Sequence, residues 1–432
     1  MTAATGTVPW SRAQTIEAVR RHVNSGLARV FSLSDSAMEI RSEGSLVYDE
    51  TGRPYLDCGG YCVFLLGHRH PQVVAAVRAA LDRHPLSTRL LVDPTLAAAA
   101  TGLAAVVPQG LQYVWFGNSG AEVVDAAIKL CRLNGRRTMV VADRAFHGKT
   151  FGALSVSGRR RYRDPFEPLV PGVVRVPFGD PDAVAAVLAA RPGECAVLVE
   201  PVQSEGGVRV PPPGYLAAVR RACDAHGALL VIDEISTGMG RLGTWWGVTQ
   251  AGVAPDILLA GKALGGGVVP VSAMVATAAA YAPLNRDPLL HTSTFAGNPL
   301  ATSAVGAAVE ATRDLDVPAA AARLGLQILR RVTEVVQRRA PGFVTEVRGK
   351  GLLIGIECAQ EHLAAELMLE LLHRRIITSH SLNAHRVLRL TPPAILGGSE
   401  VEWLVGAVDE AIGTVAARYR PTRTTEGESN HA

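Results

Sequence analysis

Between residues 112 and 276 the chain repeats one pattern: a short run of almost wholly apolar residues, then a stretch with helical spacing. The runs are 113–116, 138–142, 173–176, 196–199, 228–232 and 257–260. A strand with one face in water alternates apolar and polar side chains. A strand that is apolar throughout must be covered on both faces. Such runs, separated by helices, predict an α/β fold with a mostly parallel sheet, helices on both faces and right-handed crossovers. Residues 271–276 are expected to add an edge strand.

The flanking segments predict a smaller α+β unit. Apolar residues Ile16, Val19, Val23, Leu27 and Val30 recur at helical spacing, which predicts one amphipathic helix over 13–30. Residues 45–57 alternate as a hairpin that turns at Asp49-Glu50-Thr51-Gly52. Residues 70–106 are alanine-rich and helical, and 300–340 are expected to form one long helix. Segments 343–358, 376–392 and 400–418 supply the rest of the smaller unit. The expected division is 1–69 for the N-terminal segment of the small domain, 70–309 for the large domain, 310–420 for the C-terminal small domain and 421–432 for a flexible polar tail.

Composition excludes several classes. The net charge of +4 is dispersed apart from Arg159, Arg160, Arg161 and Arg163, and aromatic residues make up 5%, so no nucleic-acid partner is expected. Cys58, Cys62, Cys131, Cys195, Cys223 and Cys358 form no C-x-x-C pair and have no ligand cluster around them. They are expected to be free thiols, with no metal site. No run reaches the roughly eighteen apolar residues that span a bilayer, and residues 1–11 lack a basic start followed by an apolar core. A cytoplasmic protein without a membrane partner is the expectation.

Lysine is the scarce residue. Of 43 basic residues only Lys129, Lys149, Lys262 and Lys350 are lysines. Lys129 and Lys350 read as surface charges. Lys262 follows the run 257–260, just before Gly265-Gly266-Gly267, where a parallel sheet binds ligands at its carboxyl edge. A desolvated lysine there can attack a carbonyl. A P-loop is excluded, because Asp143, Asp256 and Val344 stand where each Gly-Lys pair needs an earlier glycine. Gly238-Met239-Gly240-Arg241-Leu242-Gly243 has dinucleotide-binding spacing, yet Thr244-Trp245-Trp246-Gly247 is a poor helix start. Asp233 closes the run 228–232. A carboxylate there caps a helix, binds a metal or holds a cationic heterocycle. Together with Lys262 it suits a pyridinium cofactor that carries an aldehyde. Gly117-Asn118-Ser119-Gly120 precedes a helix and suits a phosphate, although Ser119 serves equally as a plain N-cap. Phe146, beside His147, either stacks on a flat ring or simply packs.

Taken in order, these segments resemble the class III aminotransferases of the type I pyridoxal-phosphate fold, from about residue 40 to residue 410. The motifs are Asn118-Ser119-Gly120-Ala121-Glu122, Phe146-His147-Gly148, Glu200-Pro201-Val202-Gln203-Ser204-Glu205-Gly206-Gly207, Ile232-Asp233-Glu234, Gly261-Lys262-Ala263-Leu264-Gly265-Gly266-Gly267 and Thr292-Ser293-Thr294-Phe295-Ala296-Gly297-Asn298-Pro299. Asp57-Cys58-Gly59-Gly60-Tyr61 and Pro211-Pro212-Pro213-Gly214-Tyr215-Leu216 are most similar to putrescine aminotransferases.

The resemblance implies pyridoxal 5'-phosphate as cofactor, with Lys262 as the Schiff-base and proton-shuttling lysine and Asp233 on the pyridine nitrogen. It places Phe146 and Ile235 on the two ring faces, with His147 also at the cofactor. Ser119 and Gly120 would bind the phosphate, and Thr294 would reach the phosphate in the neighbouring subunit of a homodimer. Arg389 would bind a substrate carboxylate, gated by Glu205. Gly59, Gly60, Tyr61 and Phe64 would line a roomy substrate entrance. The expected reaction is a ping-pong exchange between a terminal amine and a keto acid such as 2-oxoglutarate. Amination of a ribosomally made peptide, an aminomutase or decarboxylase on the same fold, and an inactive regulatory paralogue are the alternatives. Three positions depart from the family pattern: Ser236 replaces the usual Gln, Ser204 a commoner Gly, and Val123 a usual Ala or Ser.

Overall fold

The computed structural model describes residues 10–33, 37–339 and 342–419. The tail expected at 421–432 lies outside them, as do residues 1–9. Strands β1 (Glu39–Glu43), β2 (Leu46–Asp49) and β3 (Pro54–Asp57) open the fold. The expected hairpin is β2–β3, with Leu46 opposite Leu56. Its turn is closed by Asp49, whose carboxylate accepts from the Thr51 and Arg53 amides and the Thr51 hydroxyl.

The apolar runs become one sheet: β4 (Leu111–Gly117), β5 (Thr138–Ala142), β6 (Val173–Val176), β7 (Cys195–Val199), β8 (Leu229–Asp233), β9 (Ile257–Ala260) and β10 (Ser272–Thr277). Their spatial order is β4-β10-β9-β8-β7-β5-β6. Successive side chains leave a strand on opposite faces. Val197, Leu230, Ile232 and Leu258 therefore enter one apolar layer, and Ala196, Leu198, Val231 and Leu259 enter the other. Both faces are covered, as the uniform apolarity requires. Each such Leu, Ile or Val contributes about 1.5–3 kcal/mol.

The expected edge strand is misplaced. β10 lies inside the sheet, antiparallel to both β4 and β9. Residues 273–276 are completely buried, and only an interior position covers them on both faces while pairing both backbone edges. The edges fall instead to β4 and β6, where most residues are at least partly exposed.

Two expected single helices break in two, and the helical stretch 70–106 is also a pair. Residues 13–30 form Arg12–His22 and Ser25–Leu33, because the Asn24 side chain accepts from the Leu27 amide and starts a second helix. Residues 70–106 form Pro71–Arg83 and Pro94–Ala104, each opened by a proline in its first turn. Residues 300–340 form Pro299–Asp314 and Val317–Arg339, separated where Asp316 takes a left-handed φ of 43°.

The C-terminal region adds β11 (Val344–Lys350), β12 (Leu353–Cys358), β13 (Ile376–Ile377), β14 (Ser379–Ser381) and β15 (Ala384–Leu390), with helices Glu361–His373 and Gly398–Arg418. β13 pairs in parallel with β3, so the two ends of the chain share a sheet. Among the described residues no helix is long and apolar enough to cross a membrane, no cluster of ligands suits a metal, and all six cysteines are free and buried.

Candidate active site

Strands β5, β6, β7, β8 and β9 run in parallel, and β4 shares their direction through β10. Their carboxyl ends therefore open on one edge of the sheet. The loops there hold Asn118–Gly120, Phe146–Gly148, Glu200–Gly207, Asp233–Ser236 and Gly261–Lys262, which are the segments singled out in the sequence.

At the end of β8, Asp233 is nearly inaccessible. Its Oδ2 lies 2.7 Å from His147 Nδ1, and its Oδ1 accepts from the Ile235 amide at 3.0 Å. Burial opposes a charged imidazole, but the Asp233 hydrogen bond and charge outweigh it, so the His147 pKa is raised. His147 is thus joined to Asp233 at this end of the sheet. Its Nε2 is buried without a partner. Glu200, at the end of β7, accepts from the Phe146 amide at 3.1 Å. Burial pushes its carboxyl up to about 7, and does the same to Glu234.

Lys262 follows β9, the neighbour of β8, and takes a left-handed φ of 46°. That conformation costs a non-glycine residue about 1–2 kcal/mol and points to function. Its Nζ donates to Ser236 Oγ at 2.5 Å. Ile235 fills the space between two glycines: a Cβ on Gly120 would meet it at 3.1 Å and one on Gly261 at 3.3 Å. Ser119 caps helix Gly120–Leu133, its hydroxyl accepting from the Glu122 amide at 3.3 Å. The Ser272 hydroxyl braces this turn by donating to the Ser119 carbonyl at 2.7 Å. Both readings of Ser119, N-cap and helix-terminus anion site, are thus compatible with one geometry.

The donor set fits pyridoxal phosphate: an amine for its aldehyde, a buried carboxylate for its ring nitrogen, Phe146 and Ile235 as apolar surfaces, and a helix N-terminus for its phosphate. Farther along the cleft Arg389 is 1% exposed, with Nη1 2.6 Å from Glu205 Oε1 and 2.8 Å from Ser204 Oγ. Glu205 Oε2 accepts from the Leu382 amide at 2.8 Å.

The sequence model of the family described as aminotransferase class-III matches residues 34–412. The chain belongs to the class III aminotransferases. It is similar to the ornithine aminotransferase of Toxoplasma gondii, a structure with pyridoxal phosphate partially occupying its active site. That match has 29% identity and a TM-score of 0.88, covering 94% of this chain and 96% of that one. It is similar also to the acetylornithine aminotransferase of Elizabethkingia anophelis, at 28% identity and a TM-score of 0.77, over 90% and 98% of the two chains. An amine transaminase from an uncultivated Pseudomonas species, in its cofactor-bound form, matches at 27% identity and a TM-score of 0.80, over 88% and 95%. The chain is accordingly a pyridoxal-phosphate-dependent transaminase.

One reading changes on this aminotransferase. Gly59 and Gly60 do not open an entrance: a Cβ on Gly59 would strike the Thr378 backbone at 2.8 Å, and one on Gly60 the Phe64 ring at 2.3 Å. Their smallness serves close packing, and Phe64 stacks on His68 at 3.8 Å. Tyr61 alone of that group stands open, at 65% exposure. The glycines at 238, 240 and 243 make room for Trp246 and for the helix that starts at Val317, and the short 3-10 turn Gly247–Ala251 follows them in place of an α-helix. Thr294 is exposed, and its neighbour Ser293 accepts from the Asn118 side chain at 3.3 Å. Sequence reasoning missed Glu200 as a buried acid, although its place at the end of β7 was readable.

Glu200 generates a pH prediction. An unfolded glutamate ionises near about 4.3, whereas the folded group stays protonated up to about 7. Its contribution to stability is therefore complete below the unfolded value and declines as pH rises toward 7. Glu200→Gln is expected to flatten the loss of stability between about pH 5 and pH 8 by about 1–3 kcal/mol, read by chemical denaturation across that range. An unchanged slope would sink this assignment.

Proposed function

We propose that this aminotransferase moves an amino group from a terminal amine, of diamine or amino-carbonyl type, to a dicarboxylic keto acid such as 2-oxoglutarate, in two half-reactions that share one pocket. The buried Arg389–Glu205 pair carries the reading. A lone guanidinium at 1% exposure would be prohibitively costly, and a fixed one would repel an amine substrate. Paired with Glu205 it is neutral and admits the amine. A keto-acid carboxylate can then replace Glu205 as a bidentate partner of Arg389. Ser204, hydrogen-bonded to Arg389 Nη1, holds the guanidinium meanwhile. Ornithine and acetylornithine, named for two similar proteins, both carry an amine at a chain end.

Bound pyridoxal phosphate supplies an aldehyde for the amine and a ring that withdraws electrons from the carbon bearing it. Lys262 tethers that aldehyde and moves the proton. Asp233, fixed by His147, holds the ring nitrogen protonated. Phe146 and Ile235 confine the ring, Ser119 and Gly120 hold the phosphate, and Tyr61 meets substrate at the mouth. Borohydride reduction of the purified protein should fix the pyridoxyl group on the Lys262 peptide. Label on Lys129, Lys149 or Lys350 would overturn the assignment.

The gate has a kinetic signature. Arg389→Ala should slow the keto-acid half-reaction about 100-fold or more and the amine half-reaction less than about tenfold, in single-turnover measurements. Equal losses in both halves would defeat the shared-pocket reading.

A homodimer is part of the same proposal. Leu90 and Val92 are 91% and 95% exposed. With Leu91 they border a recess of about 580 Å³ that extends to Trp115 and Gly297. An apolar surface of this kind calls for a covering partner. A second copy would cover it and bring Thr294 to the neighbouring phosphate. Mixing Thr294→Ala with Lys262→Ala subunits should then restore partial activity, because one site of the mixed dimer escapes both lesions. No recovery on mixing, with subunit exchange demonstrated, would exclude a role across the interface.

A further inference from the structure

A lysine that tethers a cofactor through its nitrogen is released from that bond in each half-reaction, and the released amine must then move a proton accurately. A free lysine arm has four rotatable carbons and no built-in direction. The hydrogen bond from Lys262 Nζ to Ser236 Oγ, at 2.5 Å, supplies one. We propose that Ser236 is a positioning residue, the seat that holds the Lys262 amine at the end of β8 while it takes up and returns the proton. The proposal rests on the role given to Lys262 above.

Both partners stand on fixed backbone. Ser236 sits in a turn whose start is tied to β9 by the Glu234 amide on the Leu259 carbonyl, at 2.9 Å. The turn is closed by the Gly238 amide on the Glu234 carbonyl, also at 2.9 Å. The Glu234 carboxyl group holds it from outside by accepting from the Thr237 hydroxyl and the Val248 amide. Lys262 opens a single helical turn, Lys262–Gly265, closed by the Leu264 amide on the Gly261 carbonyl at 3.0 Å. A contact between two such anchors is a defined geometry, as proton transfer requires.

The chemistry of a hydroxyl suits the task. An amine that ferries a proton is an ammonium in one state and a neutral amine in the other. An ammonium only donates hydrogen bonds, while a neutral amine also offers a lone pair. A hydroxyl accepts from the first and donates to the second, so it follows the nitrogen through the cycle. A carboxylate in its place would favour the ammonium and retain the proton. The nearby acids are engaged elsewhere: Asp233 with His147 and the Ile235 amide, and Glu200 with the Phe146 amide. Ser236 is the neutral partner among them.

The test has two arms. In cofactor-free protein, acylation of each lysine by acetic anhydride is followed against pH by peptide mass spectrometry. In Ser236→Ala the limiting acylation rate of Lys262 at high pH, where the amine is neutral, should rise about twofold or more, because the hydrogen bond no longer holds the nitrogen. Lys129, Lys149 and Lys350 should keep theirs, and Ser236→Thr, which retains the hydroxyl, should keep the wild-type profile at Lys262. In the cofactor-loaded enzyme, loss of deuterium from the reacting carbon of a labelled amine should slow about tenfold in Ser236→Ala at saturating amine, and much less in Ser236→Thr. An unmoved Lys262 profile, an unchanged deuterium loss, or equal damage from Ala and Thr overturns the proposal. Borohydride label on another lysine would instead overturn the role of Lys262, and the cofactor-free profile would still report the Ser236 bond by itself.

Discussion

The polar groups gathered at the end of the central sheet answer one constraint: a sheet covered on both faces has no wet surface except at its strand ends. Val197, Leu198, Leu230, Val231, Leu258 and Leu259 are completely buried, so no catalytic side chain can leave the sheet partway along these strands. Functional groups are displaced to the turns after β4, β5, β7, β8 and β9, which open on one edge. The site is a consequence of how the sheet is buried, and the crevice at the carboxyl ends of the strands is the place left for a ligand.

The second theme is how buried charge is managed. An isolated ion inside a protein is costly, and each one here has a specific answer. Asp233 is matched by His147, and Arg389 by Glu205. Glu200 and Glu234 are instead held protonated by burial up to about 7. Arg241, also inaccessible, is satisfied by the carbonyls of Leu352, Pro392 and Cys62. These carbonyls come from three separate segments, so Arg241 ties the loop after β8 to the C-terminal strands and to the Tyr61–Cys62 turn. Next to it, a Cβ on Gly351 would lie 2.3 Å from the Arg241 carbonyl, which leaves glycine as the residue that permits this approach. The same tie keeps the wall carrying Arg389 in register with the strand ends carrying Asp233 and Lys262.

The chain's own residues announce much of this. The apolar runs give the strands to within a residue or two, because burial on both faces leaves a mark at every position. The scarcity of lysine isolates Lys262, and the order of the motifs identifies the family. Misreadings arose where a local pattern has two global solutions. An apolar run such as 271–276 reads the same at an edge as in the interior, and a helical stripe such as 13–30 does not reveal that Asn24 restarts the helix. Small residues at 59 and 60 suggest open space but are small because Thr378 and Phe64 press against them.

What the sequence determined by itself is therefore whatever is written in neighbouring residues: the period of each element, the caps, the glycine turns and the identity of the cofactor-binding motifs. What only the tertiary structure decided is which groups meet. His147 reaches Asp233 across 86 residues, Arg389 reaches Ser204 across 185, and Ser236 meets Lys262 across 26. Local periodicity fixes how a strand is buried. The partners found at its end depend on the order in which strands pair, and that order is set by long-range backbone hydrogen bonding, which leaves no periodic trace in the chain.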